Sequence, residues 1–127
     1  MTIGEHGTAL TDLKACLEDF QHRFNTNGRA KKLVKRWDRE VLVEATDTGT
    51  AYTMVIEDEQ LQEILDGGSE SEDEYLVHLQ ASEETLTKIF SGNYNPSTAL
   101  LDGMLSVFSN DRDKVKLEAL ALVIWGL

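Results

Sequence analysis

Three histidines, His6, His22 and His78, and one cysteine, Cys16, are the residues of this 127-residue chain best suited by type to nucleophilic or acid–base work. Their spacing makes them poor material for it. No two histidines stand at a metal-binding interval, no nucleophile is flanked by glycines, and no glycine-rich phosphate loop is present. Cys16 has no second cysteine with which to form a disulfide, a thiolate metal site or a redox pair, so it reads as a small core residue. In the alternating run YLVHLQA, His78 reads as a half-buried strand residue rather than a base. The acids of DGGSESEDE, residues 66 to 74, lack the ordered oxygen donors of a calcium loop, and the segment reads as a mobile polar connection. No catalytic residue, metal or cofactor is therefore assigned. Two carboxylates meeting in space are what this reading leaves open.

The remaining chemistry is that of surfaces. A net charge of −11 argues against general affinity for nucleic acid and for high solubility. The exception is RAKKLVKRWDR, residues 29 to 39, where six basic residues against Asp38 give +5 and leave −16 on the rest. On a short helix over about 29 to 38, Leu33, Val34 and Trp37 take one side while Lys31, Lys32, Lys35 and Arg36 take the other. Two readings follow: a surface helix with Trp37 in the core, or a contact for anionic headgroups, which would make the chain a peripheral membrane binder, or for a phosphate-bearing ligand.

The elements that must position these residues fit one domain over residues 1 to 127, with hydrophobic and charged fractions ordinary for a soluble globular protein. No apolar run reaches the length that spans a bilayer, and the N-terminal residues lack the pattern of a secretory leader, so a cytoplasmic location is expected. Leu10, Leu13, Leu17, Phe20 and Phe24 step by three and four, which predicts an amphipathic helix over 8 to 25, ended by NTNG. EVLVEATDTGTAYTMVIEDE predicts a hairpin turning at DTGT. QLQEILDG fits either a third strand or a helical turn. YLVHLQA predicts a strand with Tyr75, Val77 and Leu79 on one face and Leu76, His78 and Gln80 on the other.

Beyond it, Ser82 is placed to cap a helix with Glu83 and Glu84 in its first turn and Leu86, Ile89 and Phe90 on its apolar side. Gly92 stops that helix. Asn95 caps a second short helix with Pro96 in its first position, closed by Gly103. MLSVF then predicts a strand, with Leu105 and Val107 facing one way and Met104, Ser106 and Phe108 the other. Met104 and Phe108 need either an extra element, such as the N-terminal helix, or an association surface. Asn110 suits a positive φ in the turn, and Asp111 or Asp113 caps a last helix ending in ALALVIWGL. That helix is apolar all round over 119 to 125, so its surplus calls for deeper burial, a dimer contact or a lipid within the domain.

Gly92, Asn95-Pro96, Ala99, Gly103, Leu105, Val107, Asn110, Lys116-Leu117 and Leu120 together resemble the hallmark of the sterol-carrier-protein type-two (sterol-transfer) domain family. The order of hairpin, strand and helix before them also follows that family, so the likeness covers most of residues 41 to 122. Ser109 departs from it where glycine is common, as do Met104 and Phe108 where polar residues are usual. The resemblance implies an α/β (α+β) fold, a five-stranded sheet covered by helices around an apolar tunnel or cavity, built largely by the region 82 to 125. It also implies a chain that binds and carries a sterol, fatty acid, fatty acyl-CoA or phospholipid without chemistry. From the motif positions, Leu86, Ile89, Phe90, Leu100, Leu101, Leu105, Val107, Leu120, Val123 and Ile124 are expected to line or flank the cavity, with Tyr94 and Trp125 near its opening. The alternative is an interaction module whose pocket is filled by its own side chains and whose Met104–Phe108 strand or last helix makes a homodimer.

Overall fold

The computed structural model describes residues 12–69 and 73–126. Helix α1, Leu13–Asn25, begins where the Asp12 side chain accepts from the Lys14 amide, and it buries Leu13, Leu17, Phe20 and Phe24 at the spacing the sequence sets. Leu10 and the earlier part of the predicted helix lie outside the described residues, as do His6 and residues 70 to 72 of the acidic connection. Cys16 is buried within the stripe, and burial, then the charges of Asp19 and Asp12, raises its thiol pKa.

The basic helix is shorter than predicted. Helix α2 spans Gly28–Leu33, capped by the Asn27 side chain, and Arg36 takes a left-handed φ of 59°. A side chain in that conformation breaks the helical path, which lets Val34 and Trp37 both turn into the core.

Strands β1 (Arg39–Ala45), β2 (Ala51–Glu57), β3 (Gln60–Asp66), β4 (Leu76–Ala81) and β5 (Ser106–Phe108) form one sheet in the order β3-β2-β1-β4-β5. Strands β1 and β4 run parallel and all other neighbours antiparallel. The hairpin between β1 and β2 turns at Gly49, φ 78°, as DTGT requires. QLQEILDG is a strand, and its helix-like spacing has a physical cause. The register pairs Ile56 with Leu61 and Val55 with Glu63, so Gln62 is an extra, bulged residue. The bulge puts Leu61 and Ile64, three apart, opposite the buried Ile56 and Met54. In β4, Val77 and Leu79 are buried as expected, whereas Tyr75 lies in a 3-10 turn, Asp73–Tyr75, and is exposed beneath the Arg39 guanidinium, 5.5 Å from its ring centre.

Three helices complete the core. In α3, Glu83–Phe90, the Ser82 hydroxyl accepts from the Thr85 amide; in α4, Pro96–Leu101, the Asn95 side chain caps the start. Gly103, φ 75°, then turns the chain into β5, where Leu105 is buried and Val107 half-buried. Met104 and Phe108 point outward and remain 50% and 56% exposed; α1 does not cover them, because it packs on α3, β3 and α2.

Helix α5, Asp111–Trp125, is capped by Asn110 and not by an aspartate. Asn110 holds φ at −74°, its side chain accepting from the Asp113 amide at 2.8 Å. Asp113 is instead a buried hub: it accepts from the Trp37 indole at 2.7 Å and from Arg39 Nε at 3.0 Å. A carboxylate taken out of water is tolerated only with such charge-assisted donors, so the pair ties the start of α5 to the entrance of β1. Asp113→Ala is expected to lower stability by roughly 3 kcal/mol, because the Arg39 and Trp37 donors lose their acceptor. Urea unfolding measures this; a loss below about 1 kcal/mol would mean that the hub contributes little.

Candidate functional site

An apolar cavity of about 60 Å³ lies between the sheet and the last helix. The sheet side supplies Leu79 from β4 with Leu105 and Val107, whose inward direction follows from strand alternation. Helix α3 contributes Leu86, Ile89 and Phe90, three positions on one helical face, and α4 contributes Pro96 and Leu100. The roof is a face of α5: Lys114, Leu117, Glu118, Leu120, Ala121 and Trp125. Phe20 of α1 closes one end.

Of the residues expected at this wall, Leu86, Ile89, Phe90, Leu100, Leu105, Val107, Leu120 and Trp125 are brought together there. Tyr94, Leu101, Val123 and Ile124 are not among its walls. Leu101 is 88% exposed, because it ends the short helix α4 on the side away from the core. Tyr94 donates to an Asp102 carboxylate oxygen at 2.9 Å, a bond that, with partial burial, raises its phenol pKa. Val123 faces α2, in a groove shared with Arg29, Lys32 and Leu33. Phe20, Leu79, Pro96, Lys114, Leu117, Glu118 and Ala121 were missed. Pro96 and Leu117 carried an early signal as motif residues, Leu79 as a residue on the strand face shared with Val77, and Phe20 as a large side chain in the α1 stripe.

The Trp125 end is an aromatic plug. Its ring centre stands 5.2 Å from that of Phe20 and 6.3 Å from that of Phe90, and the two phenyl rings meet edge to face at 5.3 Å. The indole lies directly on Gly92. A Cβ there would come within 2.7 Å of Trp125 Cδ1, and Gly92 holds φ at 80°, so both space and backbone require glycine. Among the described residues the buried Trp125 indole N–H has no hydrogen-bond partner. Polar attachment of this half of α5 is thin: Asn27 Nδ2 donates to the Val123 carbonyl at 3.3 Å.

Two other clusters stand apart from the cavity. Lys32, Lys35 and Arg36 are exposed and Lys31 half-buried; Lys32 shares a groove with Val123 of α5, and Leu122 on the same helix is 57% exposed. On the opposite face of the sheet, Glu44 Oε1 takes hydrogen bonds from Gln80 Nε2 and His78 Nε2, each at 2.8 Å. Those bonds, Gln80's first, lower the Glu44 pKa. Among the described residues no group of three His, Cys, Asp or Glu is placed to hold a metal. Nor is any described helix long and apolar enough to cross a membrane.

The sequence profile of the SCP-2 sterol transfer family matches residues 17–110. Among solved structures, the fold is similar to a crystal structure of sterol carrier protein 2, with a TM-score of 0.63 and 15% identity over 89% of this chain and 95% of that one. It is also similar to the sterol carrier protein domain 2 of Helicoverpa armigera, with a TM-score of 0.61 and 20% identity over 87% of this chain and 85% of that one. A further likeness, to the sec-alkylsulfatase Pisa1 from Pseudomonas sp., has a TM-score of 0.56 and 15% identity over 74% of this chain; there the chain spans only 14% of the larger protein. No curated protein sequence matches.

The Gly92 contact generates a direct test. Gly92→Ala is expected to expel the Trp125 indole and cost about 1–3 kcal/mol in stability. Tryptophan emission should shift to longer wavelength, a change absent when the same substitution is made in a Trp125→Phe background. An unshifted spectrum with full stability would remove Gly92 as the seat of the plug.

Proposed function

The chain belongs to the SCP-2 sterol transfer family, and on that premise we propose that it binds and carries apolar, chain-bearing ligands, without chemistry, in the cavity beneath α5. The observation that carries this reading is a void with apolar walls from four helices and the sheet, roofed by a helix whose far end is held mostly by apolar contact. Burial of apolar area provides the affinity, at about 25 cal/mol per Å² before ordering costs. Such binding is strong and weakly selective.

At about 60 Å³ the cavity is a closed state, since pockets that hold small-molecule ligands are roughly 300–1,000 Å³. Loading must therefore move a wall. The wall that moves is the C-terminal half of α5: its start is pinned by Asp113, while Trp125 is plugged by ring contacts that a ligand's methylenes can replace. The exposed Lys32, Lys35 and Arg36 supply an anionic-membrane contact, with Lys32 sharing a groove with Val123 of that moving end. The exposed Leu101, Met104 and Phe108 support a second reading, self-association, which light scattering decides by the presence or absence of a stable dimer.

Two measurements test carriage. The purified protein should yield co-purifying lipid by mass spectrometry and should bind a fluorescent fatty acid saturably and displaceably. Ala121→Leu, which fills much of the void, should weaken that binding at least tenfold while leaving the circular dichroism spectrum unchanged. No lipid and no saturable binding would end the proposal. For the membrane contact, Lys32→Glu with Lys35→Glu should reduce sedimentation with phosphatidylserine-containing vesicles at least tenfold, at about 1 kcal/mol per charge. Equal sedimentation of both proteins would count against it.

A further inference from the structure

The roof of the cavity has one cation. Lys114, Leu117, Glu118, Ala121 and Trp125 all line it, a strip of α5 about 16 Å long at 1.5 Å rise per residue. Lys114 is half-buried, and among the described residues its ammonium takes part in no ion pair or side-chain hydrogen bond. Its neighbours are otherwise engaged. Asp113 is held by Trp37 and Arg39, and Asp111 is exposed in the first turn. Glu118 stands one turn along at a pairing interval, but with the cation N-terminal, the weaker order in a helix. The Ser97 hydroxyl moreover donates to Glu118 Oε2 at 2.9 Å and draws that carboxylate toward α4.

We propose that Lys114 makes the cavity selective for anionic amphiphiles, binding a carboxylate or phosphate head at the mouth while the chain runs under α5 toward Trp125. The proposal rests on the carriage reading and adds the ligand's chemical class. With no guest, the lysine lays its methylenes along the apolar wall and keeps its charge toward water. An anionic head arriving there forms a charge-assisted pair beside walls of low polarity, where such a pair is stronger than in bulk water. A neutral head gains only an ordinary hydrogen bond. The net charge of −11 repels anions at long range, so the preference is a short-range one, to be read at physiological salt where that field is screened.

The test compares palmitic acid, hexadecyl phosphate and methyl palmitate, by displacement of a neutral fluorescent probe, on the unaltered chain, Lys114→Met and Glu118→Gln. The unaltered chain should favour the two anions over the ester by about tenfold. Lys114→Met keeps the apolar stem, so it should bind the ester as before and lose the preference. Glu118→Gln should strengthen anion binding severalfold, the opposite sign, which separates a charge effect from misfolding. A preference for only one of the two anions upholds Lys114 as selector and identifies the head. An anion-to-ester ratio that is the same in the unaltered chain and Lys114→Met overturns the proposal while leaving carriage intact. Failure to bind any of the three overturns carriage, and this proposal with it.

Discussion

A single buried carboxylate decides how the cavity can work. Asp113 sits at the third position of α5, where its own amide is taken by the Asn110 cap, and its two oxygens receive the Trp37 indole and the Arg39 guanidinium. Those donors, Trp37 just before β1 and Arg39 at its first position, are far away in sequence, so the bond network fixes one end of the roof to the start of the central strand. Hydrogen bonds of this kind are directional and expensive to leave unmade. Among the described residues the other end of α5 has no comparable polar anchor, only the Asn27 bond to the Val123 carbonyl. Trp125 rests on Phe20, Phe90 and Gly92 through dispersion and area burial, forces that do not distinguish a phenyl ring from a lipid methylene. The two ends of the roof are thus held by different forces, directional polar bonds at Asp113 and apolar contact at Trp125.

The sheet supplies the rigid half of the arrangement. Val41, Val43, Val77, Leu79 and Ala81 present a buried apolar face to the helices, while the opposite face carries the Glu44, His78 and Gln80 cluster with the exposed Phe108. The bulge at Gln62 lets β3 keep Leu61 and Ile64 on the covered face without lengthening the turn before it. At the other edge β5 is three residues long, too short to offer an extended template for pairing with another chain. The sheet therefore presents one continuous apolar wall against which the helices pack.

What was legible in the sequence was local. Ser82, Asn95-Pro96 and Gly92 act within a few residues of themselves, and each cap or stop appears where the residue type alone demanded it. The hairpin at Gly49 is legible for the same reason. The five-stranded fold followed from the family likeness of the motif rather than from periodicity. The misreadings are nonlocal or depend on a conformation that side-chain type does not encode. QLQEILDG, by contrast, fits strand and helical turn alike because a bulge shifts the alternation of Leu61 and Ile64, and a bulge is set by the partner strand. Asp113 resembled a cap because its true partners, Trp37 and Arg39, lie more than seventy positions earlier. Leu101 was drawn into the cavity by its apolar type, yet a six-residue helix presents little inward face, and Ala99 and Leu100 occupy it. Lys114 and Glu118 escaped notice at the wall because a polar beginning of a helix reads as solvent-facing until the fold shows what lies beneath it.

The polarity of that roof bears on what kind of guest the cavity selects. Apolar walls reward any chain in proportion to the area buried, so they cannot separate a sterol from an acyl chain by more than shape. Discrimination has to come from the few polar atoms within reach, and the walls offer a lysine and a glutamate on α5 and a buried indole N–H at Trp125. The indole is covered by the Gly92 backbone, whereas Lys114 stands partly in solvent with its neighbouring acids diverted to other bonds. A charged atom that has no partner among the described residues, at the rim of an apolar space, is where differential binding is largest, because pairing there changes the energy by more than any added methylene.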